Sequence, residues 1–198
     1  MRTEQDGTAE IWKGLLIGLV AGAAGSWAMD RFQAGWNKLS NARKEKPDEN
    51  SPRRESSSDT KSEEDVATVK TAAALSRFLF DHELTARQKQ VAGPAVHYAF
   101  GTAIGGLYGA LATMKPGTAS RGGIPFGAAL WLVADEALVP ALGLGAAPTK
   151  TPLSLQIYAL ASHLVYGLST ELVRGGIWRA MNRRAFSPAD RAVSFVEH

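Results

Sequence analysis

Few side chains in this sequence could do chemistry, and those that could interrupt stretches that are otherwise apolar. His97, Asp135, Glu136 and His163 stand inside such stretches, Asp30 closes another, and Glu171 lies just ahead of Arg174. Imidazole changes charge near neutral pH, so histidine and carboxylate pairs can relay protons or sense acidity. Two imidazoles with two or three carboxylates can also coordinate a divalent metal. The third use is structural, because such pairs hydrogen-bond between packed helices and fix them. No metal-ligand spacing occurs among these residues, so a metal would depend wholly on how the chain packs.

Other chemistries lack residues. There are no cysteines, which excludes disulfides, thiolate metal sites and thiol nucleophiles. No phosphate-binding glycine loop, no His-Glu-x-x-His and no Gly-x-Ser-x-Gly is present. The residues therefore predict a protein that is not an enzyme and carries no cofactor, with a membrane metalloenzyme as the remaining catalytic alternative. The net charge of +3 does not mark a nucleic-acid binder, because the arginines cluster beside apolar segments rather than along a groove.

The elements that must position the polar residues follow from where the charge lies. Charged residues make up 21% of the 198-residue chain, but they concentrate in Asp30–Lys89 and after Arg174. What remains holds four segments near the ~20 residues needed to cross a bilayer: about 11–30, 91–114, 122–144 and 153–173. The predicted fold is all-α, an integral membrane bundle of about four transmembrane helices. A soluble bundle is the alternative, but helices of this length with almost no polar face are unusual in soluble folds. The third segment carries Asp135 and Glu136, and an acid at a helix centre costs about 2.5–3.5 kcal/mol facing lipid. A bundle interior or a wet cavity can take them. A cleaved leader is an alternative for the first segment, where Ala21-Gly22-Ala23 resembles a cleavage site. Glu4, Asp6 and Glu10 ahead of it argue against that.

Residues 1–10 form a tail, 31–64 a polar linker that cannot bury a core and is expected to be disordered, and 185–198 a second tail. Over 65–90 the apolar spacing of Val66, Val69, Ala73, Leu75, Phe78 and Leu79 predicts a short amphipathic helix and a lead-in. Thr85 and Gln88 have capping-box spacing and can open the second span. Residues 174–184 are a basic flank.

Gly14, Gly18 and Gly22 repeat every four residues on the first span, as do Gly101, Gly105 and Gly109 on the second. Such stripes let backbones approach closely, which is how helices associate in lipid. They serve packing within one chain or a homo-oligomer between chains. The partner common to both cases is the lipid bilayer.

With four spans both termini share one side. Short segments there carry Arg2, Lys13, Lys115, Arg121, Arg174, Arg179, Arg183 and Arg184, so that side is read as cytoplasmic. The helical rise then puts Asp30, His97, one of Asp135 or Glu136, and His163 together in the opposite half. Gln156 and Tyr166 are placed to join them, and Glu171 stands apart beside Arg174. The Pro140–Pro152 connection caps that cluster as a loop.

The order of local motifs resembles the YagU-like inner-membrane family of bacteria, a group built on a domain of unknown function (DUF1440-like). The resemblance rests on a Gly/Ala-rich first span, His97-Tyr98-Ala99-Phe100, Gly122-Gly-Ile-Pro-Phe-Gly127 and Pro140-Ala-Leu-Gly143-Leu144. Ser162-His163-Leu164-Val165-Tyr166 and Glu171-Leu-Val-Arg174 complete it. It covers about Gly14–Met29 and Val91–Arg184, and the Ser/Lys/Glu linker departs from it. The resemblance implies a multi-pass inner-membrane location and a loose link to acid tolerance or the envelope, with no established reaction. A small transporter or a proton- or ion-conducting protein is the alternative.

Overall fold

The computed structural model describes residues 2–44, 69, 70, 73 and 85–185. Most of the polar linker, the amphipathic segment apart from Val69, Lys70 and Ala73, and the C-terminal tail lie outside the described residues. Among those described there are helices and no strand.

Helix α1, Arg2–Lys44, is one element of 43 residues. It does not end at Asp30, as the sequence reading has it, and 31–44 are helical rather than linker. The reason is aromatic. Phe32 and Trp36, one turn apart, lie 5.8 Å from each other and 6.4 and 5.8 Å from the Tyr158 ring. That cluster holds the charged extension of α1 against the fourth helix, where charge density alone reads as disorder.

Helix α2, Ala86–Met114, opens on Thr85. The Thr85 hydroxyl accepts from the Gln88 N–H at 3.4 Å, and the Gln88 carboxamide oxygen accepts from the Thr85 N–H at 2.8 Å. This is the reciprocal box that satisfies two otherwise orphan amides. A 3₁₀ stretch, Pro116–Gly123, leads to helix α3, Ile124–Val133. The turn between them runs through three left-handed residues, Arg121 (φ 63°), Gly122 (φ 65°) and Gly123 (φ 79°). Helix α3 widens into a π-helical turn at Ala134–Leu138 and ends in Val139–Ala141. Pro140, Gly143 with its positive φ, Pro148 and Pro152 then break the chain. Helix α4, Leu153–Ala185, extends twelve residues past the predicted span end at Val173.

Helix α1 packs along α2 and along α4, and α3 packs on α4. Helices α2 and α3 make little direct backbone contact, so the bundle is a ring left open between them. The α1–α2 contact is antiparallel and glycine-lined. A Cβ on Gly18 would meet Gly106 and Gly109 backbone at 3.0 Å, and one on Gly22 would meet the Gly101 carbonyl at 2.5 Å. The two stripes thus face each other within one chain. A second close contact joins α3 to α4, where Gly123 and Gly127 sit against the backbone of Gly167 and His163.

The interior is made of small and polar residues. Ser26, Ser162, His163 and Thr170 are buried beside Ala21, Ala112, Ala134, Tyr108, Tyr158 and Tyr166. Large aliphatic and indole side chains point out: Leu16 and Leu172 are each 60% exposed, and Trp27 is 59% exposed.

Two stretches, Gly7–Ala42 and Arg121–Ala141, are long and apolar enough to cross a membrane. The sequence reading counts four. Helices α2 and α4 fall short on composition because their inner faces are built from Gly, Ser, Thr, His, Gln and Tyr, which lower the average hydropathy of the whole helix.

Candidate functional site

A cavity of about 180 Å³ lies in the gap between α2 and α3. Its polar lining comes from every helix: Ser26 from α1, His97 from α2, Asp135 from the π turn, and His163 and Tyr166 from α4. The remaining walls are apolar, including Phe100, Leu130, Leu138 and Leu142.

The π turn aims Asp135. The Val139 N–H reaches back to the Ala134 carbonyl, so one extra residue enters the turn and rotates the side chains around it. Asp135 faces α4, with Oδ2 3.5 Å from His163 Nδ1. Its neighbour Glu136 does not line the cavity. Of two adjacent acids on a helix only one can face a given partner, and here it is the first.

His163 Nδ1 is also 3.0 Å from the Ala159 carbonyl oxygen. A carbonyl only accepts, so a hydrogen bond here takes its hydrogen from Nδ1. Across the cavity, His97 Nε2 lies 3.6 Å from Asp30 Oδ1, and the Tyr98 hydroxyl donates to Asp30 Oδ2 at 2.7 Å. The site therefore holds two histidine–aspartate pairs, one joining α1 to α2 and the other joining α3 to α4. They do not merge into one centre. Among the described residues no three His, Asp or Glu side chains are grouped to hold a metal ion, so the metal arrangement that the sequence admits is not formed there.

Two side chains complete the floor. The Tyr166 hydroxyl donates to the Gly101 carbonyl at 2.6 Å, tying α4 to α2. Ser26 is fully buried, and its hydroxyl has no hydrogen-bond partner among the described residues. Gly101 makes room for it, since a Cβ there would strike Ser26 Oγ. Gln156 does not join the cavity; it donates to the Pro148 carbonyl at 2.7 Å and holds the loop over the site.

Glu171 sits elsewhere, toward the other end of the bundle. Arg174 donates to both its oxygens at 2.7 Å, and the Tyr108 hydroxyl donates at 2.8 Å. Tyr108 stacks on Phe126 with centroids 4.0 Å apart, so this cluster closes the α2–α3 gap below the cavity.

Sequence reasoning missed Ser26, Tyr98, Tyr108 and the α3–α4 glycine contact. The last had a signal, the four-residue spacing of Gly123 and Gly127 with His163 and Gly167. Tyr98 sits beside His97 in the motif that opens α2, and a hydroxyl one residue from a histidine gave no cue by spacing. Ser26 had none, since a lone serine on an apolar helix is ordinary.

No curated protein and no solved structure matches the chain. A family described as a protein of unknown function (DUF1440) matches residues 33–172. That stretch carries His97, Asp135, His163 and Glu171, and it leaves out Ser26 and Asp30. It spans well over half of the sequence, and the chain is a member of the DUF1440 family.

Proposed function

We propose that this chain is a non-enzymatic, multi-pass protein of the bacterial inner membrane, a four-helix bundle whose polar cavity responds to protons as part of envelope or acid-stress physiology. The observation that carries the membrane reading is the inverted distribution of side chains. Soluble proteins bury Leu, Ile, Val and Phe. Here glycine, alanine, serine, threonine, histidine and tyrosine dominate the interior, with Ile17 and Met29 the larger aliphatic side chains buried among the described residues, while Leu16, Trp27, Leu107, Leu132 and Leu172 face outward. Small and polar residues between helices with aliphatic residues outside is the pattern of packing in lipid. Apolar surface exposed on this scale marks contact with a membrane or a partner protein, and the small and polar interior favours the membrane.

Orientation draws on the same geometry. Lys13 lies 5.0 Å over the Trp178 ring, so the start of α1 and the end of α4 share one end of the bundle. That end carries Lys115, Arg121, Arg179 and Arg183, and basic flanks favour the cytoplasm. A reporter fused after His198 is expected to read cytoplasmic and one inserted at Ser57 to read external, with the protein retained in membranes through carbonate extraction. A carbonate-soluble protein, or two reporters on one side, would overturn the four-span reading.

The second reading is proton or ion conduction, favoured by the two histidine–aspartate pairs that flank one cavity. In liposomes holding the purified protein, a pH gradient is then expected to decay faster than in empty liposomes. His97→Ala and His163→Ala are expected to return the rate to that of empty liposomes while far-UV circular dichroism stays unchanged. Loss of helicity in both variants instead would make the pairs structural.

A further inference from the structure

The cavity has a charge, a shape and an open side, and together they select a ligand. The titratable groups that face it are Asp135 from the π turn, His163 from α4 and His97 from α2, with Asp30 of α1 behind His97. No lysine or arginine lines it. With the Asp135 carboxylate ionised, the cavity suits a cation and disfavours an anion.

The remaining surface is apolar and holds two aromatic rings, Phe100 and Tyr166, which favour a positive charge near their faces. The volume of about 180 Å³ is that of a small organic body; a cavity of about 150 Å³ holds benzene. The open side lies between α2 and α3, where Phe100, Leu138 and Leu142 are 42%, 47% and 61% exposed. A ligand entering there crosses an aliphatic rim, which admits a molecule with an apolar body.

The Ser26 hydroxyl narrows the choice. It is fully buried, lines the cavity and has no hydrogen-bond partner among the described residues. A buried hydroxyl left unsatisfied is costly and calls for a group to bond it. A quaternary ammonium offers no hydrogen, whereas a protonated amine has hydrogens for both a hydroxyl and a carboxylate.

We propose that the cavity between α2 and α3 binds a compact amphipathic amine, with Asp135 as the counter-ion of its ammonium group, Ser26 as a hydrogen-bond acceptor and the aliphatic rim around its apolar body. This deepens the membrane reading, on which it rests for the lateral route of entry. The π turn gains a purpose in this arrangement, because it turns one carboxylate of the adjacent pair into the site.

The test is equilibrium dialysis of the full-length protein in detergent micelles at neutral pH, corrected against protein-free micelles. The probes are 2-phenylethylamine, its uncharged counterpart 2-phenylethanol, and 3-phenylpropionate. The amine is expected to bind saturably, one per chain, and about tenfold or more tighter than the other two, the scale of one charged hydrogen bond. Asp135→Asn is expected to remove that advantage. Leu138→Trp, which obstructs the rim and leaves the carboxylate in place, is expected to weaken the amine as well. Equal binding of amine and alcohol overturns the proposal and needs no variant to do so. Absence of saturable amine binding, or folded variants that bind as the parent does, overturns it too. Carbonate extraction reads the membrane assignment separately, so the two can fail independently.

Discussion

Gly105→Ala is expected to destabilise the protein by about 3 kcal/mol, the upper range for forcing one extra carbon into a packed interior. Gly105→Leu is expected to prevent α1 and α2 from docking at all. A Cβ at Gly105 would touch the Cα of Gly22, lie 2.7 Å from the Gly18 carbonyl oxygen and 2.8 Å from the Gly22 nitrogen. All three are backbone atoms, so no side chain can turn aside and the helices must separate. The expectation opposes helix propensity, which favours alanine over glycine by about 1 kcal/mol in a helix interior. Gly35, on the partner helix α1, has nothing within 4 Å of an added Cβ. Gly35→Ala is therefore expected to be neutral or to stabilise. Gly106 is the intermediate case, since its nearest neighbour is the Leu19 side chain at 2.7 Å, which can move. Unfolding of the purified protein by a denaturing detergent, followed by circular dichroism, ranks the three. A Gly105→Ala protein as stable as the parent would mean that α1 and α2 do not meet along these stripes.

The stripes themselves were legible, because a four-residue repeat of glycine has one structural meaning on a helix face. Their partner was not, since sequence cannot say whether two matching stripes belong to one chain or two. Depth along each helix was equally legible: rise per residue alone places His97 near Asp30 and His163 near the Asp135–Glu136 pair. What rise cannot give is azimuth. Choosing Asp135 over Glu136 needed the π turn at Ala134–Leu138, which no residue spacing announces. Packing likewise decided the end of α1. Residues 31–44 carry the charge of a linker, and the meeting of Phe32 and Trp36 with Tyr158, on a helix far along the chain, packs them against α4. Composition also hid α2 and α4, whose inward polar faces dilute an outward apolar one.

Arg174→Met is expected to cost about 3–5 kcal/mol, the usual result of leaving one member of a buried ion pair alone. The two side chains are 11% and 12% exposed, and the guanidinium meets both carboxylate oxygens of Glu171. Removing it leaves Glu171 with the Tyr108 hydroxyl as a donor, too little to hold a desolvated charge. Glu171→Gln combined with Arg174→Met is expected to recover most of the loss, because neither partner is then charged. Such pairs are often replaceable by neutral groups of similar size. Tyr108→Phe is expected to cost less, about 1.5–3 kcal/mol for one hydrogen bond to a charged group. With Glu171→Gln alone added, the parent and the ion-pair variants form a double-mutant cycle on the cluster that closes the α2–α3 gap opposite the cavity. Its outcome also reports where that end of the bundle lies. A cost of about 1 kcal/mol or less for Arg174→Met is that of a solvated surface pair, and would put Glu171 in water. The full penalty requires an environment that water does not reach, which in this bundle means that the Tyr108–Phe126 stack and the surrounding aliphatic residues seal the gap at that level.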